Sequence, residues 1–291
     1  MPRLSLALAL SALLVACDAK LTDNGGGGGG GGGNTPPTNR FTELANSLED
    51  AAESEIATLT IGTPGAPLSF PAIAGCPSVS NTADADGDGI PDDATFSYTN
   101  PPCSVSGFFG GTLVVTGAVR VQDSSQATDT AYALTVTNLT WQFTDTAGVL
   151  SYTAVRNGKR SRAGNNDAVT LAVTDTVKRT RPQITAIATI AKDLVWTFVA
   201  DNPGDIEVGQ PLPDGTVTVA GSWHWKRSTE DWNLTLATPI PLVYDATCTT
   251  TAQRFTAGRV TMTGSIANVP GTLVIDWSQC GKLPTRTFVA S

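Results

Sequence analysis

Five carboxylates fall within ten residues in the run Asp84-Ala-Asp86-Gly-Asp88-Gly-Ile90-Pro-Asp92-Asp93. Packed so closely they repel one another unless a cation neutralises them. Carboxylates of Asp84, Asp86 and Asp88, the backbone carbonyl of Ile90 and the carboxylate of Asp92 are spaced to wrap calcium in oxygen. The only His, His224, stands between Trp223 and Trp225 on the polar face of a predicted strand. No G-x-S-x-G turn or H-E-x-x-H pair accompanies it, and one His cannot build a three-His zinc site. The nine glycines Gly25 to Gly33 follow no strand and open no helix, so they are not a phosphate loop. The chain therefore offers no assigned catalytic residue, no organic cofactor motif, and one candidate calcium loop.

The N-terminus carries a single cation, Arg3, an apolar run from Leu4 to Val15, and then Leu14-Val15-Ala16-Cys17. The run is too short to span a bilayer and reads as a secretory signal segment. Leu14 to Cys17 resembles the lipobox of bacterial lipoproteins at all four positions. That resemblance implies cleavage before Cys17 and acylation of its sulfur, giving a protein anchored to the cell envelope by lipid, on the extracytoplasmic side of the inner or outer membrane. Two or three acyl chains suffice for stable anchoring. The aspartate run, in turn, is similar to the calcium loops of EF-hands and thrombospondin type 3 repeats. It departs from the EF-hand at Thr95, where a bidentate Glu would stand, which implies weak affinity, about 10⁻⁴ to 10⁻³ M.

With Cys17 lipidated, Cys76, Cys103, Cys248 and Cys280 remain, an even number in an oxidising compartment and without a C-x-x-C pair, which favours disulfides over zinc. Of three connectivities, Cys76 with Cys103 and Cys248 with Cys280 is preferred, because each pair brackets a compact piece of chain. The second pair would end two strands on either side of the Val260 strand at one rim.

These residues need a scaffold, and the rest of the sequence describes one. After the signal segment of residues 1–16, residues 17–38 form a polar, Gly-rich tether with a reach of about 25 Å. Residues 39–291 form one domain. Its start is an amphipathic helix over about 39–59, with Phe41, Leu44, Ala45, Leu48, Ala52, Ile56 and Leu59 on one side and Glu43, Glu49, Asp50 and Glu53 on the other. The acidic side is expected to stay wet, making the helix a lid on a sheet. Beyond Pro64 period-2 alternation dominates, as in Leu113, Val115, Gly117, Val119 and Val121, or Val217, Val219, Gly221, Trp223 and Trp225. The phase flips at Thr137-Asn138, which predicts a β-bulge. Turns are expected at Asn157-Gly158, Asp214-Gly215 and Pro270-Gly271. The fold class is all-β: an antiparallel meander of about eleven strands forming a barrel or a large sandwich, with the helix packed on it.

Composition narrows the function. With 41% hydrophobic and 15% charged residues the chain is too apolar for disorder and too lightly charged for a coiled coil. A net charge of −8 argues against nucleic acid. Trp141, Trp196, Trp223, Trp225, Trp232 and Trp277 all fall on the apolar face, either as core or as an aromatic pocket for an apolar small molecule or lipid. The basic stretch Arg156, Lys159, Arg160, Arg162, Lys178, Arg179 and Arg181 reads as hairpin-tip or edge-strand charge that blocks aggregation, with contact to anionic lipid or envelope glycan as the functional alternative. The sequence thus points first to a non-enzymatic envelope protein with a structural or adhesive role, second to a carrier or sensor, and third to an extracellular hydrolase.

Overall fold

The computed structural model describes residues 38–59, 76–81, 83–87, 90–108, 110–124, 131–181, 186–207, 210–227, 230–248, 254–266 and 268–291. The signal segment, Cys17 and almost all of the tether lie outside them. Helix α1 (Thr38–Leu59) is followed by β1 (Ser78–Ser80), β2 (Asp93–Ser97), β3 (Cys103–Phe108), β4 (Gly111–Asp123), β5 (Tyr132–Thr144), β6 (Leu150–Gly164) and β7 (Ala168–Arg181). Then come β8 (Ala186–Ala200), β9 (Gly215–Arg227), β10 (Glu230–Tyr244), β11 (Phe255–Ile266), β12 (Val269–Trp277) and β13 (Thr285–Ala290). The thirteen strands make one antiparallel sheet in the order β1-β2-β4-β5-β6-β7-β8-β9-β10-β11-β12-β13, with β3 paired to β4. From β4 onward every strand pairs with its successor in sequence, the all-β meander the alternation predicts.

The order is linear, so the sheet is not closed into a barrel; it bends over its own concave face and is sandwich-like. The bend is measured by α1. Arg160 on β6 reaches Glu55 (Nη2–Oε1 2.8 Å) and Arg286 on β13 reaches Glu49 (Nε–Oε1 2.6 Å, Nη2–Oε2 2.7 Å). A flat sheet would place β6 and β13 about 34 Å apart, seven spacings of about 4.8 Å. The two glutamates lie only about 9 Å apart along one helix. The sheet therefore curls around α1.

Glycine permits the curl where strands must come close. Gly221 has φ +137°, and a Cβ there would lie 2.1 Å from the Asp193 carbonyl oxygen. Gly117 (φ +108°) faces the predicted bulge, where Asn138 is left-handed at φ +47° and the β4–β5 and β5–β6 registers both slip. The bulge is held from β6, because Asn138 N–H donates to Asn157 Oδ1 at 2.7 Å. This also corrects the turn expected at Asn157-Gly158, which lies in mid-strand. Asn157 serves the bulge, and Gly158 sits where a Cβ would be 2.5 Å from the Thr174 carbonyl. Pro270-Gly271 likewise belongs to β12, the hairpin turning just before it at left-handed Asn268. Gly215 opens β9 directly after Asp214, whose carboxylate receives the Ala246 N–H.

The core has two parts. One joins Leu44, Leu48, Ala52 and Leu59 of α1 to the concave face of β7 to β12. The other packs Ile90, Tyr98, Val119, Leu134 and Leu139 beneath β2 to β5. The lid expectation is corrected in one respect: the described acidic side chains of α1 are not wet. Glu49 and Glu55 are 5% and 2% exposed, because an arginine from each side of the curl meets them. No described helix is long and apolar enough to cross a membrane.

Candidate functional site

In the aspartate loop, Asp84 Oδ1 accepts the Gly87 N–H at 2.9 Å and Asp92 Oδ1 accepts the Ala85 N–H at 3.1 Å. The Asp92 N–H closes the loop on the Ala83 carbonyl at 2.8 Å. These are the bonds of a tight acidic turn, the carboxylates of Asp84 and Asp92 each satisfying a local backbone donor. Ile90 anchors the turn by burying its side chain in the smaller core. Asp93 turns aside onto Arg120 (2.7 and 2.5 Å), whose hydrogen bonds hold its carboxyl below the ordinary range. Among the described residues no three His, Cys, Asp or Glu side chains stand together at metal-binding distance; Asp88 lies outside them.

The four cysteines pair as preferred, Cys76 with Cys103 (Cα–Cα 5.7 Å) and Cys248 with Cys280 (6.0 Å). Cys248 follows β10 and Cys280 follows β12, on either side of β11 and at one rim. Bridges of this kind stabilise chiefly by removing freedom from the unfolded chain, about 3 to 4 kcal/mol each for loops of this length.

Five of the six tryptophans, Trp196, Trp223, Trp225, Trp232 and Trp277, share the main core with α1, each no more than 4% exposed. Trp225 and Trp232 face each other across β9 and β10 with ring centroids 5.6 Å apart. Trp141 packs instead at the margin of the smaller core. The space a carrier would give its ligand is, in the part under α1, occupied by the protein's own side chains.

His224 is on the convex face, its Nε2 2.6 Å from Asp231 Oδ1, with Lys226 Nζ 3.5 Å from Asp231 Oδ2. The hydrogen bond from His224 lowers the Asp231 pKa. The pair lies open to solvent.

The basic stretch is where the structure departs most from the sequence reading. Lys159 and Lys178 point outward, but Arg156, Arg160 and Arg162 lie on the concave side of β6, in phase with buried Ala154, and Arg179 lies on that side of β7. Lys192 joins them on β8, in phase with buried Ile190 and Leu194. Together with Asp175 and Glu55 they form a polar seam between the two cores. Arg156 donates from Nε to Asp175 Oδ1 at 3.0 Å and is ion-paired with it through Nη2. Arg160 Nη2 lies 4.0 Å from Asp175 Oδ2 as well as on Glu55. Burial acts to raise the Asp175 pKa, but Arg156, Arg160 and Lys192 outweigh it and leave it lowered. Lys192 Nζ sits 4.4 Å from the centroid of the Trp223 ring, a cation–π contact. Desolvation pushes its amine down to about 8 despite Glu55 and Asp175. The sequence signal for this seam was present: the three β6 arginines share the even phase of Ala154.

Comparison with family models, with curated proteins and with solved structures finds no match in any of the three. The protein is defined by its own architecture, an open antiparallel β-meander curled around an N-terminal helix and carrying a charged seam.

Proposed function

We propose that this chain is a lipid-anchored, extracytoplasmic envelope protein with a non-enzymatic structural or adhesive role, attached through Cys17 and a Gly-rich tether, with calcium bound weakly at the Asp84 to Asp92 loop. The observation that carries the reading is the shared core of α1 and five tryptophans. A carrier keeps that volume for its cargo, whereas here the helix next to the tether fills it. The hydrolase reading loses support for a different reason. The three carboxylates buried among the described residues, Glu49, Glu55 and Asp175, are each engaged by an arginine, and the lowered Asp175 pKa is opposite to what a general acid needs.

Native mass spectrometry of the full chain, with and without calcium, tests the reading. The expected result is the bare protein gaining one calcium ion at millimolar concentration. A co-purifying apolar molecule of a few hundred daltons would overturn the structural role in favour of a carrier. A protein that takes up no calcium would remove the metal from the proposal.

A further inference from the structure

The two ends of the sheet are finished differently. At one end β1 is three residues long, and the β3–β4 pairing slips between Ser106 and Phe108. Short edge strands and bulges are how proteins blunt an open edge. At the other end β13 pairs with β12 over six residues without a slip, and it carries neither Lys nor Pro. Its one charge, Arg286, points to the concave side and is neutralised by Glu49, so it does not guard the edge. The ladder fixes which backbone groups are open. The Ser291 N–H donates to the Pro270 carbonyl at 3.1 Å, so residues 289, 287 and 285 also direct N–H and C=O to β12, because direction alternates along an antiparallel strand. Arg286, Phe288 and Ala290 therefore turn theirs away from the sheet, and among the described residues no strand receives them. The side chains beside this edge are apolar and open as well. Val289 on the convex face and Leu283, two residues before the strand, are 56% and 67% exposed, the highest values of any large hydrophobic side chain among the described residues.

We infer that β13 is an association surface for a second copy of this chain, the two β13 strands pairing antiparallel about a two-fold axis so that the sheet of one molecule continues into the next. Antiparallel pairing lets a strand serve as its own complement, as a two-fold interface requires. Centred on Phe288, the pairing sets Arg286 opposite Ala290 of the second copy, Phe288 opposite Phe288, and Thr287 opposite Val289. The three open residues then exchange N–H and C=O bonds in both directions, and no like charges meet. Val289 gains a β-branched neighbour on the convex side, and the part of Phe288 that the main core leaves uncovered meets its own counterpart. Six residues of edge bury less than a standard interface of about 1,600 Å², so the association is reversible, with a Kd in the micromolar range.

Analytical ultracentrifugation of the full chain with Cys17→Ser, over a concentration series spanning the micromolar range, tests the pairing. A monomer–dimer equilibrium is expected. Ala290→Pro removes an outward N–H while leaving every β12 bond in place, and two-fold symmetry removes it twice, so the dimer Kd should rise about tenfold or more. Val289→Lys, the kind of guard that natural edges carry, should raise it by a similar factor. Adding Thr287→Glu to Val289→Lys sets opposite charges across the axis at two places and should recover about threefold or more of the lost affinity. Far-ultraviolet circular dichroism and cooperative melting confirm that the variants fold. A chain that stays monomeric throughout the series, as it would if its own residues covered the edge, would overturn the inference. So would a dimer that neither Ala290→Pro nor Val289→Lys weakens, or one that the added Thr287→Glu does not restore.

Discussion

The clamp between Glu49 and Arg286 is the contact that makes the curl visible, and it can be measured. It joins residues 237 apart through two charge-assisted bonds of 2.6 and 2.7 Å, with side-chain exposures of 5% and 20%. Removing one partner from a buried pair costs about 3 to 5 kcal/mol, because the other charge remains desolvated. Arg286 keeps a fifth of its surface in water, so the low end applies. Glu49→Gln, which preserves shape, should cost about 3 kcal/mol, or about 6 to 12 °C of melting temperature for a domain of this size. Arg286→Met should cost a similar amount. The double variant should cost clearly less than the sum, a coupling of about 2 kcal/mol or more, since neither charge is then stranded. Urea unfolding followed by tryptophan emission with the disulfides intact is the assay, the five core tryptophans reporting directly on the space around α1. A coupling below about 0.5 kcal/mol would place this pair among ordinary surface ion pairs and refute the argument that it pins the helix inside the curl.

Other outcomes follow from the same structure. Trp223→Ala and Trp225→Ala should each lose about 3 to 5 kcal/mol in urea unfolding, as core residues do; a wild-type-like stability would contradict the filled interior. Lys192 has a depressed folded pKa, so between pH 8 and 10 the unfolded chain binds more protons there than the folded one. Stability should rise by up to about 1.4 kcal/mol per pH unit across that window. Lys192→Met should flatten the rise, which a pH series of urea midpoints would show. Asp175 acts with the same sign in the acid range. Its depressed pKa contributes stability above about pH 4 that is lost as pH falls through the folded value, and Asp175→Asn should lose that acid limb. Gly221→Ala should destabilise markedly, because φ is +137° and the new Cβ would meet the Asp193 carbonyl; a neutral result in thermal melting would show that the strand does not need its bend there.

Much of this architecture could be read locally. Strand alternation has a period of two, and that alone assigned the concave face of β4 and β9 and the phase slip at Asn138. The helix boundary was likewise a matter of 3.6-residue spacing, and the cysteine pairing followed from which segments they bracket. The errors arose where a residue's partner is far away in sequence. Asn157-Gly158 has the composition of a hairpin turn, yet Asn157 is spent on the Asn138 backbone 19 residues away. The basic residues of β6 and β7 look like edge charge until β8 and β9 are added beside them.

Features that depend on neighbours along the chain were legible in the residues alone: all-β character, the amphipathic helix and the acidic turn at Asp84 to Asp92. Which surfaces face inward depends on how the sheet curls, and that is settled by contacts between segments far apart in the chain. Strand pattern distinguishes two faces but carries no information on curvature, and curvature is set by many small register and glycine effects acting together across thirteen strands. It is that curvature which buries Glu49 and Glu55 against arginines 237 and 105 residues away and turns a stretch of surface charge into an interior seam.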